Sequence, residues 1–572
     1  QTQRIMWFNI SSYSASDMFN LYTLIMDMII RTNTILYYNP SGLECNWQWF
    51  QQHNLTTQPQ LVWDTASDFA QLKDLFNSNL FVLACLNMDS VKNELMGLSS
   101  SLSHLTNTKM LIELVGNESL EPKIKLSLVT DILMHFLQNH MLNVKVFFKP
   151  ITRPLILYSY EVFPRFTVLQ RHVTRPGGGE LYPKQLKNVK GYTLRVIHDF
   201  SEPNTIVYYD ARGKMLTRGF LWDFIENFAS TIGARVKAIE PTWPHGRHLG
   251  DFYMIIMTKN GSVDIVIIFI SLSMNSQLKE SFFFSFYHYS YPILYASWCI
   301  MMPLERPVDI PVIFNHIMRT GTVAFLVIGL SCAWLSSWAT RFRFPVWNRY
   351  GSLAPKLLAL LFFCLCQAQL MFLLILYPRR MPIDSFDALL YSNLRILGIN
   401  SEFYFLEPEF RARYAAAFRL TNNVSEFFEL RNSFNTSWAY SITSNKWIVM
   451  ATQQQNFQRA IFRYSDLCLH ESIPYSIILD EDSVFYEPLK FYSMRVHEAG
   501  LFEYWLRYSF YDMVKAGRMH LKDYSVTIMP RPLRLPDFRI PCRCFVFGII
   551  LAITMFAVEL LQFYIRLFLG NL

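Results

Sequence analysis

Charge is scarce in this chain: only 17% of its 572 residues are Asp, Glu, Lys or Arg, against 52% hydrophobic and 16% aromatic. That is greasier than a typical soluble protein. The formal charge of +8 comes without a lysine- or arginine-rich run and without a nucleic-acid-binding signature, so DNA and RNA are not expected partners. Basic loops beside a membrane account for it more simply. The serine-hydrolase elbow, H-E-x-x-H, phosphate-loop and kinase signatures are all missing. His470-Glu471 has no second histidine at metalloprotease spacing, and the glycines of RPGGGELYP (175–183) are not followed by Gly-Lys-Ser/Thr. Cys542-Arg-Cys544 is half of a zinc pattern with no second pair nearby. No enzyme, metal or cofactor is expected.

Long apolar runs are what the chain does have. Thr320 to Ala339 carries no charge over twenty residues, and Leu357 to Leu376 is interrupted only by Gln367 and Gln369. Phe545 to Ile565 holds one acid, Glu559. Each reaches membrane length, so three transmembrane helices are expected (320–339, 357–376 and 545–565), with a seven-residue tail at 566–572. The competing reading, a buried core helix, suits charge-free runs of this length poorly.

Six N-x-Ser/Thr sequons, at Asn9, Asn54, Asn117, Asn260, Asn423 and Asn435, avoid the interval between the first two windows. They place 1–319 and 377–544 on one outer face, with 340–356 and the tail inside: a multi-pass plasma-membrane protein with an extracellular amino terminus. Arg341, Arg343 and Arg349 agree with the positive-inside rule. Arg531, Arg534, Arg539 and Arg543 lie on the outer flank of the third window and disagree with it. Gln1 is preceded by no methionine and followed by no charged-then-apolar leader, which fits either a removed signal peptide or a cut chain. Of nine cysteines, Cys332, Cys364 and Cys366 fall in the windows as packing thiols. Cys45, Cys85, Cys299, Cys468, Cys542 and Cys544 fall outside, where disulfides persist.

Residues 79–150 alternate between strand and helix patterns: NLFVLACLN, SVKNELMGLSSSLSHL, KMLIELVGN, EPKIKLSLVTDILMHFLQNHML and NVKVFFKP. That order predicts a parallel α/β unit within 1–185. A second unit begins near Gly191 with the strand TLRVI. GFLWDFIENFASTIGARV follows, with Leu221, Phe224, Ile225, Phe228 and Ile232 on one helical face. DIVIIFI (264–270) is a continuous apolar run, the pattern of a strand covered on both sides. This alternation breaks at the first window. It resumes after the second, through MPIDSFDALLYSNLRILG, AYSITSNKWIVM and HEAGLFEYWLRYSFYDMVKAG, the last expected as a helix closed by Gly517. Two α/β halves around a membrane insertion imply one split, bilobed domain with a ligand cleft between its lobes.

GFLWDF before a strand ending DIVI, PIDSFDALLYSNLRI after the second window, then NTSWAYSITSNKW, FRYSDLC and EAGLFEYW form an ordered set over nearly the whole chain. The set resembles the ionotropic glutamate receptor architecture, in its divergent insect branch of chemosensory ionotropic receptors. The resemblance implies extracellular α/β domains with three membrane helices. Residues 1–185 would form a reduced amino-terminal domain. Residues 191–311 and 379–536 would be the two halves of a periplasmic-binding-protein-like clamshell. It also implies a disulfide from Cys468 to Cys542 or Cys544. The family's amino-acid binders hold the ligand carboxylate with an arginine about twelve residues after the DIxI aspartate. From Asp264 that count reaches Ser276, beside Gln277, and no arginine lies between Asp264 and Ile300; the nearest cation is Lys279. Ala439 to Trp447 holds no acid for an ammonium. A hydroxyl cannot replace a bidentate guanidinium, so a less charged ligand than glutamate or glycine is expected. Its candidate contacts are Ser271 and Ser276, with Asn400, Ser401, Thr443 and Asn445 on the opposite lobe. The run FFFSFYHYSYPILY would wall the cleft or pack in the core, and His288 reads as a packed or surface histidine.

The gate departs as well. Where the family reads close to SYTANL, this chain reads LCQAQL: Gln367, Ala368, Gln369 and Leu370. Glutamines at that depth need polar partners, from other subunits or from their own. The connector RFRFPVWNRYGSLAPK (341–356) has three arginines, a lysine and two prolines. A re-entrant pore loop needs roughly 20 residues within the membrane before any connectors, so 340–356 reads as a short cytoplasmic turn without a selectivity filter. The expected function is a chemosensory channel subunit, binding a small odorant or tastant and assembling in the bilayer as a hetero-tetramer with a conducting co-receptor. The alternative is a non-conducting ligand-binding or auxiliary subunit.

Overall fold

The computed structural model describes residues 15–48, 58–64, 71–77, 79–116, 121–149, 155–172, 181–198, 202–239, 256–271, 288–305, 381–404, 406–525 and 534–569, with isolated positions between 308 and 372. The connector 340–356, all but Ser331 of the first apolar window, and most of the second lie outside the described residues. So do Asn9, Asn54, Asn117, Ser276 and Lys279. Two compact units result. One comprises Gln1–Trp298, Thr443–Gln453 and His470–Leu521; the other comprises Cys299–Ile442, Gln454–Leu469 and Lys522–Leu572.

The first unit opens with a seven-stranded sheet: β1 (Thr34–Tyr38), β2 (Gln60–Trp63), β3 (Leu80–Asn87), β4 (Lys109–Val115), β5 (Val144–Lys149), β6 (Ile156–Glu161) and β7 (Thr167–His172). Its order is β2-β1-β3-β4-β5-β6-β7. The first five strands are parallel, and the last two add antiparallel. β3 is buried over all but its last residue, as a central strand covered on both faces must be. The helices Val91–Ser101 and Pro122–Gln138 cover one face through Leu95, Leu98, Val129, Ile132 and Phe136. Ala15–Ile30 supplies Leu21, Ile25 and Ile29 to the other. Pro122 stands at the start of its helix, where a missing N–H costs nothing. Cys45 is disulfide-bonded to Cys85 on β3.

The same unit holds a second sheet region. β8 (Thr193–His198) pairs in parallel with β11 (Arg235–Ala238) and β12 (Ile265–Ser271), while β9 (Ile206–Tyr209) and β10 (Met215–Arg218) form a separate hairpin. β12 then pairs antiparallel with the far half of the eighteen-residue β17 (Phe462–Leu479), Ile265 opposite Leu479. This pairing joins sequence from before residue 320 to sequence from after residue 376. The helix Phe220–Thr231 buries Phe220, Leu221, Trp222, Phe224, Ile225 and Phe228, all part of the expected amphipathic stretch.

The expected single helix through HEAGLFEYW is two: Tyr486–Glu498 and Leu501–Lys515. Gly500 between them takes φ +66°, a left-handed conformation that ends the first helix at no steric cost. The loop after β17 meets the first sheet's helix ends. His104 Nδ1 lies 3.0 Å from Asp482, and His140 Nε2 lies 3.4 Å from Asp480.

In the second unit the order is β17-β13-β16-β14-β15, built from the near half of β17, the far half of β13 (Leu294–Pro303), β14 (Ile396–Ile399), β15 (Phe418–Thr421) and β16 (Ala439–Thr443). β14 runs parallel to β15 and β16. Ile300, Met302, Leu389, Ile396, Ala439 and Leu467 form its core. Ser385 caps Phe386–Tyr391 by accepting the Ala388 N–H, and Asn423 caps Val424–Asn432 by accepting the Glu426 N–H. The Asn423 contact uses Oδ1, so the sequon nitrogen Nδ2 stays available. Asn260 and Asn423 are exposed and Asn435 is half-buried.

The helix Arg539–Leu569 contains Phe545–Ile565, the one stretch among the described residues long and apolar enough to cross a membrane, with none of it buried. The expected bond from Cys468 to Cys542 or Cys544 is not made. Cys468 is joined to Cys299, and Cys542 is a free, exposed thiol. The sheet is the reason: β13 and β17 are neighbours, which places Cys299 and Cys468 side by side with Cα atoms 3.8 Å apart.

Candidate ligand-binding site

The aspartate that opens DIVI is structural. The Asp264 carboxylate accepts from the Arg195 backbone N–H at 2.8 Å, from its Nη2 at 2.6 Å and from the Tyr192 hydroxyl at 3.2 Å. It thereby pins the start of β12 to β8. The bond to Asp264 in turn pushes the Arg195 guanidinium further toward its charged form. From that anchor β12 runs to Ser271, whose backbone stands opposite Tyr475 of β17. The side chain of Ser271 lies outside the description, as do Ser276, Lys279 and the first six residues of the aromatic run, 282–287.

The run re-emerges at His288, which is 1% exposed, with Nε2 3.7 Å from Glu481 and Nδ1 without a hydrogen-bond partner among the described residues. Burial holds its imidazole below the usual histidine range, with Glu481 pulling the other way. His288 is a packed histidine.

The four residues expected opposite Ser271 do not stay together. β16 leaves the second unit at Ile442, so Thr443 and Asn445 belong to the same unit as Ser271, while Asn400 and Ser401 belong to the other. Thr443 is half-buried at the strand end and Asn445 is buried in the first turn of Ser444–Gln454. Between them, Ser444 Oγ accepts the Ser297 backbone N–H at 3.2 Å. Asn400 donates to Asn422 Oδ1 at 3.1 Å, and only the backbone of Ser401 is described. Near these residues sits Arg431, which the sequence reading missed. It is 7% exposed, with its guanidinium 4.9 Å from the centre of the Phe428 ring. Burial pushes its pKa down to about 10, and Glu402 opposes that shift. Its spacing from Phe427 on one helix face was the available signal. At the expected gate, Gln367 and Ala368 are helical and exposed; Gln369 and Leu370 lie outside the described residues.

A second unforeseen pair is Asp223 and Asp512, on the packed helices Phe220–Thr231 and Leu501–Lys515. Burial, then Asp512, push the Asp223 carboxyl up to about 6; burial also raises Asp512, against Lys515 and Arg218. An acid that holds its proton more tightly when folded stabilises the fold below the ordinary aspartate range, and that contribution is lost as pH rises through about 6. Asp223→Asn is therefore expected to flatten the stability profile between about pH 4 and 6. Above pH 7 it should add about 1–2 kcal/mol, after discounting for partial exposure. Chemical denaturation across that range checks both.

The amino-terminal sheet has the doubly wound order 2-1-3-4-5, whose ligand position is the crevice beyond β1 and β3. Here Glu94, 2% exposed, fills it. Its carboxylate accepts from Ser41 Oγ at 2.5 Å, Ser90 Oγ at 2.6 Å and the Asn87 N–H at 2.9 Å. The donors that would greet an anionic ligand are already occupied. Nearby, the sulfurs of Cys45 and Cys85 and a Glu113 oxygen lie within 4.8 Å of one another. The two sulfurs form a disulfide, which removes them as thiolate ligands. Burial raises Glu113 to about 7, opposed by Asn46 and Lys149.

No known protein-family model matches the chain, and no curated protein matches it.

Proposed function

We propose that the chain is a membrane receptor subunit of the chemosensory ionotropic receptor class, one that selects a small ligand for a cation channel whose filter comes from another subunit. The observation that carries the reading is the β12–β17 pairing. A single α/β sheet is assembled from segments on either side of residues 320–376, which hold two apolar windows of membrane length. A chain that leaves a water-soluble fold, crosses a bilayer twice and returns to complete the same sheet is the plan of a ligand-binding domain grafted onto a pore. The third span is the exposed apolar helix at 545–565; an odd count puts the two chain ends on opposite faces, and the sequons favour the amino terminus outside the plasma membrane. The sequons at Asn260, Asn423 and Asn435 then face outward. Thr443 at the end of β16 and the buried Asn445 in the first turn of Ser444–Gln454 offer hydrogen bonds without a guanidinium clamp. That suits an uncharged or weakly charged odorant or tastant.

Asn445 is the position to test. In cells co-expressing a conducting relative, Asn445→Ala is expected to raise the half-maximal ligand concentration about tenfold, the effect of losing roughly 1.4 kcal/mol of hydrogen bonding to ligand. Surface biotinylation should stay unchanged. An unaltered dose–response curve would remove this residue from the site. Ligand responses indifferent to the presence of this chain would favour an auxiliary subunit instead.

A further inference from the structure

The end of the amino-terminal sheet buries a cation that has no counter-ion among the described residues. Lys145 on β5 is 5% exposed, and its ammonium makes no ion pair among the described residues. The ammonium lies over the face of Tyr182, 5.9 Å from Nζ to the ring centre. The Tyr182 hydroxyl is committed to the Met110 carbonyl at 2.8 Å and offers the ammonium nothing. A second cation, Arg171, lines the same cavity. The acid there, Glu161, is held by Lys190 at 2.6 Å. Strand pairing explains the convergence. Val146 lies opposite Tyr158 and Leu157 opposite Arg171, so Lys145, Ser159 and Arg171 share one face of the β5–β6–β7 edge.

An unpaired buried ammonium is costly unless it loses its proton or gains an anion. The structure offers room for the second solution: a cavity of about 20 Å3 lined by Lys145, Arg171, Ser159, Tyr160, Tyr182 and Gln185. That volume holds one water-sized guest and no more. We propose that this cavity is a binding site for a small monovalent anion, a halide such as chloride, held between the Lys145 ammonium and the Arg171 guanidinium. Burial and Arg171 together push the Lys145 pKa down to about 8, so anion binding and protonation of Lys145 reinforce each other. The anion would fix β6 and β7, the two strands added antiparallel to the parallel sheet, against β5. The ligand class follows from size and charge: about 20 Å3 beside two cations suits a monatomic anion best.

The test uses the detergent-solubilised full chain at constant ionic strength, with chloride or bromide exchanged against gluconate. The unfolding midpoint of the wild-type protein is expected to rise by several degrees, saturably, with either halide. Lys145→Met should abolish that rise, and an unfolding midpoint in gluconate at or above the wild-type value would show that the variant is folded. Chlorine-35 NMR supplies a second readout: line broadening by the wild type, lost in Lys145→Met and competed by bromide. Equal halide responses in wild type and variant would overturn the proposal, as would no response in either together with unbroadened chlorine-35 lines. Either result would mean that the cavity holds water only.

Discussion

Cys468→Ser is expected to abolish delivery of the protein to the cell surface, and Cys542→Ser is expected to leave it unchanged. The Cys299–Cys468 bond spans a sequence separation of 169 residues that includes two of the proposed membrane spans. In the chain-entropy model a loop of that size is worth about 5 kcal/mol, a large share of the ~5–15 kcal/mol by which native domains are stable. The bond ties β13 to β17. Both strands pass from one unit into the other, at Trp298/Cys299 and at Leu469/His470, so the crosslink sits within one residue of both passages. Its loss should loosen the second unit's sheet at Leu467 and Ile300, whose side chains share one core. Non-reducing digestion followed by mass spectrometry should recover a Cys299–Cys468 peptide pair and a Cys45–Cys85 pair. A Cys468–Cys542 peptide would refute the strand register described above.

Gly219→Ala is expected to cost about 2–4 kcal/mol, an unusually large effect for the addition of one methyl group. Gly219 adopts φ +108°, where a side chain is strained wherever space exists. Space does not exist either. A Cβ there would lie 2.6 Å from the Asn204 carbonyl oxygen and 2.8 Å from that of Pro203. Both are backbone atoms in the turn 202–205, which also receives the Leu221 N–H. Relief would have to come from moving the helix Phe220–Thr231, and that helix is anchored by Phe220 and Phe224 against Phe502. Gly213→Ala is the control. It also lies at positive φ, but nothing approaches its would-be Cβ within 4 Å, so its cost should be the smaller, purely conformational one. Urea unfolding of the two variants should separate steric from conformational strain.

The elements most legible in the sequence were those where one physical rule dominates. LFVLACL and IVII (265–268) are buried on both faces, as continuous apolar β-rich runs of this length ordinarily are. The face of Phe220–Thr231 was readable because a period of 3.6 and burial agree along its length. Helix Ala15–Ile30 lies ahead of the clean strand–helix alternation at 79–150, and its place in the fold rests on a tertiary contact of Leu21, Ile25 and Ile29 with the sheet. The break at Gly500 was missed because glycine inside a helical pattern ordinarily costs only about 1 kcal/mol, and only the backbone reveals a left-handed turn. Disulfide partners depend on strand adjacency, which no spacing encodes; Cys299 and Cys468 became neighbours only once β13 and β17 did. The split of the candidate site was illegible for a related reason. Thr443 and Asn400 flank similar strand–helix words, but β16 crosses between units one residue before Thr443. Arg431 and Lys145 were passed over because charged residues are usually solvated, and their burial is a tertiary fact.

The central claim is that this chain chooses the ligand and another subunit conducts. Voltage-clamp recording in a cell that lacks every relative tests it most directly: the chain expressed alone, a filter-bearing relative alone, and both together, with surface biotinylation in each case. The account predicts this chain at the surface without ligand-gated current by itself, since 340–356 offers four cations and no room for a filter. It predicts current with a ligand profile set by this chain when both are present. A robust ligand-gated cation current from this chain alone would contradict it.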